Sequence, residues 1–344
     1  MTEEQQSKTQ TEPRQPLSIL ACIAAGFEIT ARHLETLTIP LLLDAFLWLG
    51  PRLSLAPIFQ ALERLSRQVF ATIVASGSPE TQQALALFGQ MLNELAMRYN
   101  LFAMLSPAPL LGVPTLMASR MTLDRPSGTR PEMVIASALM ALLAGVVLPV
   151  IGMGLNTLYL RSLGRRVLDE TEIPLPGPQP FPVLWRQLLL LTLIVLAIVG
   201  VLGMIGFSLA TLVGLLSTGL ALLVLMMSLS LMMFIVFHLI FAIPGMTQVR
   251  RSTLQAIQES IILTRGDFVN VTFLVLLILI ISRGFNVVWT LPKPATWANL
   301  VGIAGHAFIS TALTATLFVF YQDRLNFLPT AQQPQAIKEA PAIR

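Results

Sequence analysis

The sequence predicts an all-α fold: a polytopic transmembrane helical bundle of about six spans, with an amphipathic helical hairpin in one long extracytoplasmic loop. Three observations predict it. Of the 344 residues, 54% are hydrophobic and 12% charged, where a soluble domain carries about 25% charge, and mean hydropathy is +0.73. Residues 187–207 and 219–243 contain no Asp, Glu, Lys or Arg, and each is long enough to cross a hydrocarbon core of roughly 30 Å. The cations stand beside apolar segments rather than in a basic patch with interleaved aromatics. Despite the net charge of +4, that distribution argues against a nucleic-acid partner and for a bilayer that orients the chain.

The polar stretches 1–16 and 329–344 read as disordered cytoplasmic tails flanking a membrane domain over 17–328. Residues 1–16 lack the positively charged start of a cleavable signal peptide. Leu17–Glu35 is an expected interfacial helix, with Glu28 and Arg32 paired at i,i+4, that turns into the membrane near Pro40. The first span, Leu34–Leu49, is short and carries Pro40 and Asp44, so it needs residues before Leu34, or local bilayer thinning, to cross. The remaining spans are expected near Met133–Leu160, Gln187–Thr211, Leu215–Ile243, Phe268–Ile281 and Ala298–Phe320. With the N-terminus inside, the cytoplasmic pieces hold 13 Lys and Arg and the short outer loops hold 2, Arg283 and Lys293. This balance predicts both termini in the cytoplasm.

The outer loop, 50–132, contains two helical patterns. Ile58, Leu62, Leu65, Val69 and Ile73 recur at helical spacing, and Leu85, Phe88, Leu92, Leu95 and Tyr99 step 3-4-3-4. Ser78 can cap the second helix with Pro79 at its first position. The hairpin buries its stripes against itself or the membrane surface, or else presents them to a protein partner. Leu101–Met117, interrupted by prolines, is expected to return along the interface. Prolines at 174, 176, 178, 180 and 182 make the 161–186 connector an extended, stiff segment on the cytoplasmic face. Ser252 and Gln255 have capping-box spacing ahead of Ile257 and Ile261. They predict a short amphipathic helix, Ser252–Thr264, that sets Arg250, Arg251 and Arg265 near lipid headgroups.

Ionisable groups within apolar spans are costly and therefore candidate sites. Asp44 has no partner in its own segment. It is either a structural carboxylate paired with Arg52 or another helix, or a proton or ion site. His238, late in the fourth span, is either a packing residue or a proton acceptor. In the sixth span Ala298, Gly302, His306, Ser310 and Thr314 recur every four residues, a face of small and polar groups suited to close helix packing or to lining a polar cavity. Gly200, Gly203 and Gly206 read as a second close-contact surface. No phosphate loop, HExxH or GxSxG motif is present, so no catalytic residue is assigned. No metal-ligand spacing is present either, and neither a metal nor a cofactor is expected. Cys22 is the one cysteine, which leaves no intrachain disulfide and offers a single thiol expected to label only from inside.

The stretch Ile243-Pro244, Ala256 and Ser260-Ile261-Ile262-Leu263-Thr264-Arg265-Gly266-Asp267-Phe268 resembles the bacterial membrane domain associated with some glycerophosphoryl diester phosphodiesterases and its stand-alone six-span relatives. Phe320-Tyr321-Gln322-Asp323-Arg324 is similar to the closing pattern of those families, and Tyr159, Arg161, Arg165 and Pro174 look like their cytoplasmic connector. The catalytic residues of such enzymes have no counterpart in this sequence. The resemblance implies a non-enzymatic scaffold or accessory membrane protein acting through lipid or protein contacts. A small-solute transporter or channel is the alternative, and a lipid-modifying enzyme the third reading.

Overall fold

The computed structural model describes residues 15–76, 79–106, 112–120, 124–128, 130–171 and 175–325. Residues 1–14 of the first tail, the whole of the second, Ser78, Pro107, Pro109 and Pro174 lie outside the described residues. Helices α1 (Ile19–Arg32), α2 (Thr38–Leu49), α3 (Ala56–Ser76) and α4 (Pro79–Arg98) lead to α5 (Ala138–Thr171), α6 (Phe181–Gly214), α7 (Thr218–His238), α8 (Ala242–Gln248), α9 (Thr253–Gly266), α10 (Phe268–Trp289) and α11 (Asn299–Leu325). Among the described residues the fold is all-α but for two three-residue strands, β1 (Arg52–Ser54) and β2 (Glu132–Val134), which pair in parallel with Arg52 opposite Glu132.

Among the described residues, five helical segments are long and apolar enough to cross a membrane: α5, α6, α7 continued through α8, α10 and α11. The most apolar windows of the first four are at most 17% buried, although their mean hydropathies run from 2.3 to 3.0. The α11 window, with the lowest value at 1.7, is 72% buried. Water would expel the exposed apolar faces, so this inverted pattern identifies a multi-pass membrane protein. Leu34–Leu49, expected as a span, is not among the five: it is a 3-10 turn, Leu34–Leu37, followed by the 12-residue α2.

Two compact units divide the chain: residues up to His33, Leu160–Leu279 and from Ala312 form one, and Leu34–Tyr159 with Ile280–Thr311 the other. In the first unit α1 begins where Ser18 Oγ accepts the Ala21 N–H at 3.2 Å. Its Gly26 crosses α11 so closely that a Cβ there would lie 2.6 Å from the Ala312 carbonyl oxygen. The expected Glu28–Arg32 pair forms, and Arg32 also reaches Glu170 at 2.9 Å. α6 and α7 pack as a pair; Gly203 and Gly206 meet Met232 and Ser228 across it, whereas Gly200 touches nothing. α5 stays helical to Thr171, well past the expected end at Leu160, and α6 starts at Phe181, so the connector expected to be extended over 161–186 is helical at both ends and holds Pro182 inside α6.

In the second unit α3 lies along α4, with Phe59 edge-on to Tyr99 at 6.3 Å. Leu92 and Ala96 are buried, but Leu62, Leu65 and Val69 are exposed. The α3 stripe is therefore not buried against its neighbour. Within the stretch 101–117, Leu101–Leu105 form a 3-10 turn, and Leu116 and Met117 are buried.

Candidate functional site

The stretches 243–268 and 320–324 are far apart in sequence and meet in the first unit. Ser252 caps α9 as expected: Gln255 Oε1 accepts the Ser252 N–H at 3.1 Å, and Ser252 Oγ accepts the Gln255 N–H at 3.5 Å. The buried face of α9 is mostly polar, Thr253, Glu259, Ser260 and Thr264 with Ala256 and Leu263, while Ile257 and Ile261 are half-buried. Its polar groups have partners to satisfy. Ser260 Oγ donates to the His238 carbonyl at 2.7 Å and accepts the Phe241 N–H at 3.1 Å. It thereby binds two backbone groups released where α7 breaks into α8.

Glu259, 7% exposed, joins two further elements. Its Oε2 receives Arg251 Nε and its Oε1 receives the Tyr321 hydroxyl, each at 2.6 Å. Next to α11's end, Arg324 Nε donates to Asp267 Oδ2 and Nη1 to Asp323 Oδ2, both at 2.5 Å. Asp323 Oδ2 also accepts the Leu17 N–H at 3.0 Å, which fastens the start of α1. The guanidinium lies 4.5 Å over the Phe320 ring. This is a charge-assisted lattice in which each ion is paired, as burial demands. It can hold helices in register.

Two buried amides are not satisfied in this way. Gln248 and Gln322, each 1% exposed or less, have no partner on either amide atom among the described residues.

The residues singled out by intramembrane charge do not converge. Asp44 accepts the Leu116 and Met117 N–H groups at 2.9 and 2.8 Å. Its partners are loop backbone, not Arg52, which instead donates to the Ala96 and Tyr99 carbonyls. His238 Nδ1 lies 2.8 Å from the Phe234 carbonyl of its own helix. His306 is half-buried, and its row packs: Gly302 abuts the Trp289 carbonyl, and a Cβ on neighbouring Gly305 would come within 2.6 Å of the Trp289 ring. Ser310 and Thr314 have partners of their own, and Thr311 of the same helix accepts or donates to the Tyr159 hydroxyl at 3.2 Å. Of the expected headgroup cations, Arg250 and Arg265 are exposed, while Arg251 turns inward to Glu259.

Sequence reasoning counted the outer-loop arginines only for topology and missed their bonds. Arg130 donates to the Leu47 and Gly50 carbonyls and Arg125 to Leu49, closing the open carbonyl end of α2. Arginine at every fifth position, 120, 125 and 130, is the signal that was available. Arg120 donates to Asn299 Oδ1 at 2.8 Å and to the Thr290 carbonyl at 2.6 Å. Among the described residues no group of three or more His, Cys, Asp or Glu is arranged to hold a metal. No protein-family model matches the chain, and neither does any curated protein or solved structure.

Proposed function

We propose that this chain is a non-enzymatic scaffold or accessory protein of the bacterial plasma membrane, with both termini in the cytoplasm, acting through lipid or protein contacts. The observation that carries this reading is the fate of the polar residues in the resembling stretches: Ser260, Asp267, Tyr321 and Arg324 are spent on one another and on helix ends. The resemblance to the phosphodiesterase-associated membrane domain points the same way. Exposed Arg250 and Arg265 remain suited to phosphate headgroups, and the open apolar stripe on α3 to a membrane surface or a protein partner.

Parity supports a sixth crossing. Five crossings would leave the two ends of the chain on opposite faces, yet the Leu17 N–H bonds Asp323 beside the end of α11. An even number reconciles the two, and Leu34–Leu49 is the apolar stretch available. Its 16 residues reach about 24 Å as helix, enough for a locally thinned bilayer.

The test is a proteoliposome preloaded with a pH-sensitive dye and given an imposed proton gradient. The gradient should persist as in empty vesicles, with wild type and with Asp44→Asn or His306→Ala. A gradient that wild type collapses and Asp44→Asn preserves, at unchanged thermal stability, overturns the scaffold reading in favour of transport.

A further inference from the structure

In the first unit the opening turns of α6 and α9 flank a groove of about 570 Å³, lined along α6 from Arg186 to Leu193 and along α9 by Leu254 among others. The volume falls in the range of small-molecule sites, roughly 300–1,000 Å³. Polar groups that are already used fix its walls. Thr253 Oγ1 donates to the Gln187 carbonyl at 3.4 Å, and Ser252 caps α9. Buried Gln179 donates through Nε2 to Gln187 Oε1 at 2.8 Å and to the Met246 and Arg251 carbonyls at 3.2 and 3.1 Å.

Arg186 stands apart from these groups. It is exposed, and among the described residues no hydrogen bond or ion pair engages it. Residues 173–258, which include all of α6, α7 and α8, contain three arginines and no Asp or Glu. Of the three, only Arg251 has a carboxylate partner among the described residues, Glu259. Arg186 is also the last charged residue before the uncharged run of α6. Embedding that run in a bilayer sets the guanidinium at headgroup depth. Leu193, seven residues on, lies about 10 Å further along the helix, among the acyl chains. Leu190, Leu193 and Leu254 are exposed. A guest of this groove must therefore offer an anion at one end and hydrocarbon along the rest. A soluble anion matches only the first; an anionic phospholipid matches both, with phosphate oxygens for the guanidinium fork. An arginine that only orients the chain needs no groove beneath it.

We propose that the α6–α9 groove holds one anionic phospholipid, its phosphate on Arg186 and an acyl chain along Leu190, Leu193 and Leu254. The proposal rests on the reading of a scaffold that acts through lipid contacts, and it names the lipid and its seat. The full chain, delipidated in neutral detergent, is titrated with short-chain phosphatidylglycerol, short-chain phosphatidylcholine and glycerol 3-phosphate. Bound lipids are counted by native mass spectrometry, with melting temperatures as a check on folding. Wild type should bind one phosphatidylglycerol saturably and phosphatidylcholine about fivefold more weakly. Arg186→Gln should bring phosphatidylglycerol down to the phosphatidylcholine level. Leu193→Trp, which fills the groove and changes no charge, should lose both lipids. Arg186 and Leu193 are exposed, so neither substitution empties the core. Arg265→Gln removes the same charge outside the groove and should leave affinity within about twofold. Absence of saturable binding overturns the proposal, as does an equal loss in Arg265→Gln, binding unchanged by Leu193→Trp, or glycerol 3-phosphate binding as tightly as the lipid. The titration reads no transport, so it fails or succeeds independently of the proton-gradient test of the scaffold reading.

Discussion

Helices α7 and α11 invert the ordinary relation between hydrophobicity and burial. The window with α7 has a mean hydropathy of 2.7 and is 0% buried; that of α11 has 1.7 and is 72% buried. In water the greasier helix would be the inner one. In lipid, transfer of Leu or Met from acyl chain to protein interior gains almost nothing, so apolarity loses its inward pull. Close packing and hydrogen bonding decide instead. The inner helix is accordingly the one with Gly302, Thr311, Thr314, Thr316, Tyr321, Asp323 and Arg324, and the outer one carries Leu222, Met226, Met227 and Met233.

The largest expected effect lies at the ionic end of α11. Arg324→Met leaves Asp323, 2% exposed, with the Leu17 N–H as its one partner among the described residues, and leaves Asp267 with Asn270 Nδ2 alone. Loss of one partner of a buried pair costs about 3–5 kcal/mol, read as a melting shift in detergent. The triple variant Asp267→Asn, Asp323→Asn, Arg324→Met should recover most of that loss. No recovery would mean that the arginine acts through its stacking on Phe320 rather than through its charge.

A matched truncation tests the inversion itself. Leu313, 3% exposed on α11, and Leu222, 61% exposed on α7, differ in surroundings but not in chemistry. Leu313→Ala should cost about 2–4 kcal/mol through its cavity, whereas Leu222→Ala should stay within about 0.5 kcal/mol. Equal costs would show that α7 is covered in the folded protein.

What was legible in the sequence follows from the range of each interaction. The apolar runs and the Ser252–Gln255 box are local, and both stand in the structure as read. Glu259–Tyr321 and Asp267–Arg324 join residues 62 and 57 positions apart, and no spacing rule connects them. Asp44 was unreadable for a different reason: its partners are two backbone N–H groups, which every non-proline residue offers. The buried face of α9 could not be read from its spacing, because its partners are polar groups on distant elements: Glu259 meets Tyr321, and Ser260 meets the His238 carbonyl. The same inversion that leaves α7 bare lets the polar Glu259–Ser260 face turn in.

A smaller effect, of opposite sign, concerns the unmet amide on the inner helix. Gln322 is 1% exposed with neither amide atom partnered among the described residues. An unmet buried polar group costs about 1–3 kcal/mol, so Gln322→Leu should raise stability by about 1 kcal/mol. Destabilisation instead would reveal a bound polar partner at that amide.

The smallest effect separates α1 from the lipid-facing helices. Cys22 is 0% exposed, and burial, reinforced by Asp323, pushes its thiol from 9.0 up to about 11. At pH 8 this lowers the thiolate fraction about a hundredfold, so the native thiol should resist maleimide from either side of the membrane. The single cysteine is thus no topology probe. Gln15→Cys in a Cys22→Ala background, at an exposed position, takes its place and should label only after permeabilisation. The fold favours the neutral thiol, so its contribution to stability is complete below about pH 9 and fades as pH rises through about 11. Rapid labelling of native Cys22 at pH 8 would mean that α1 lifts from α11 at Gly26, and that the Leu17–Asp323 bond is not what holds it.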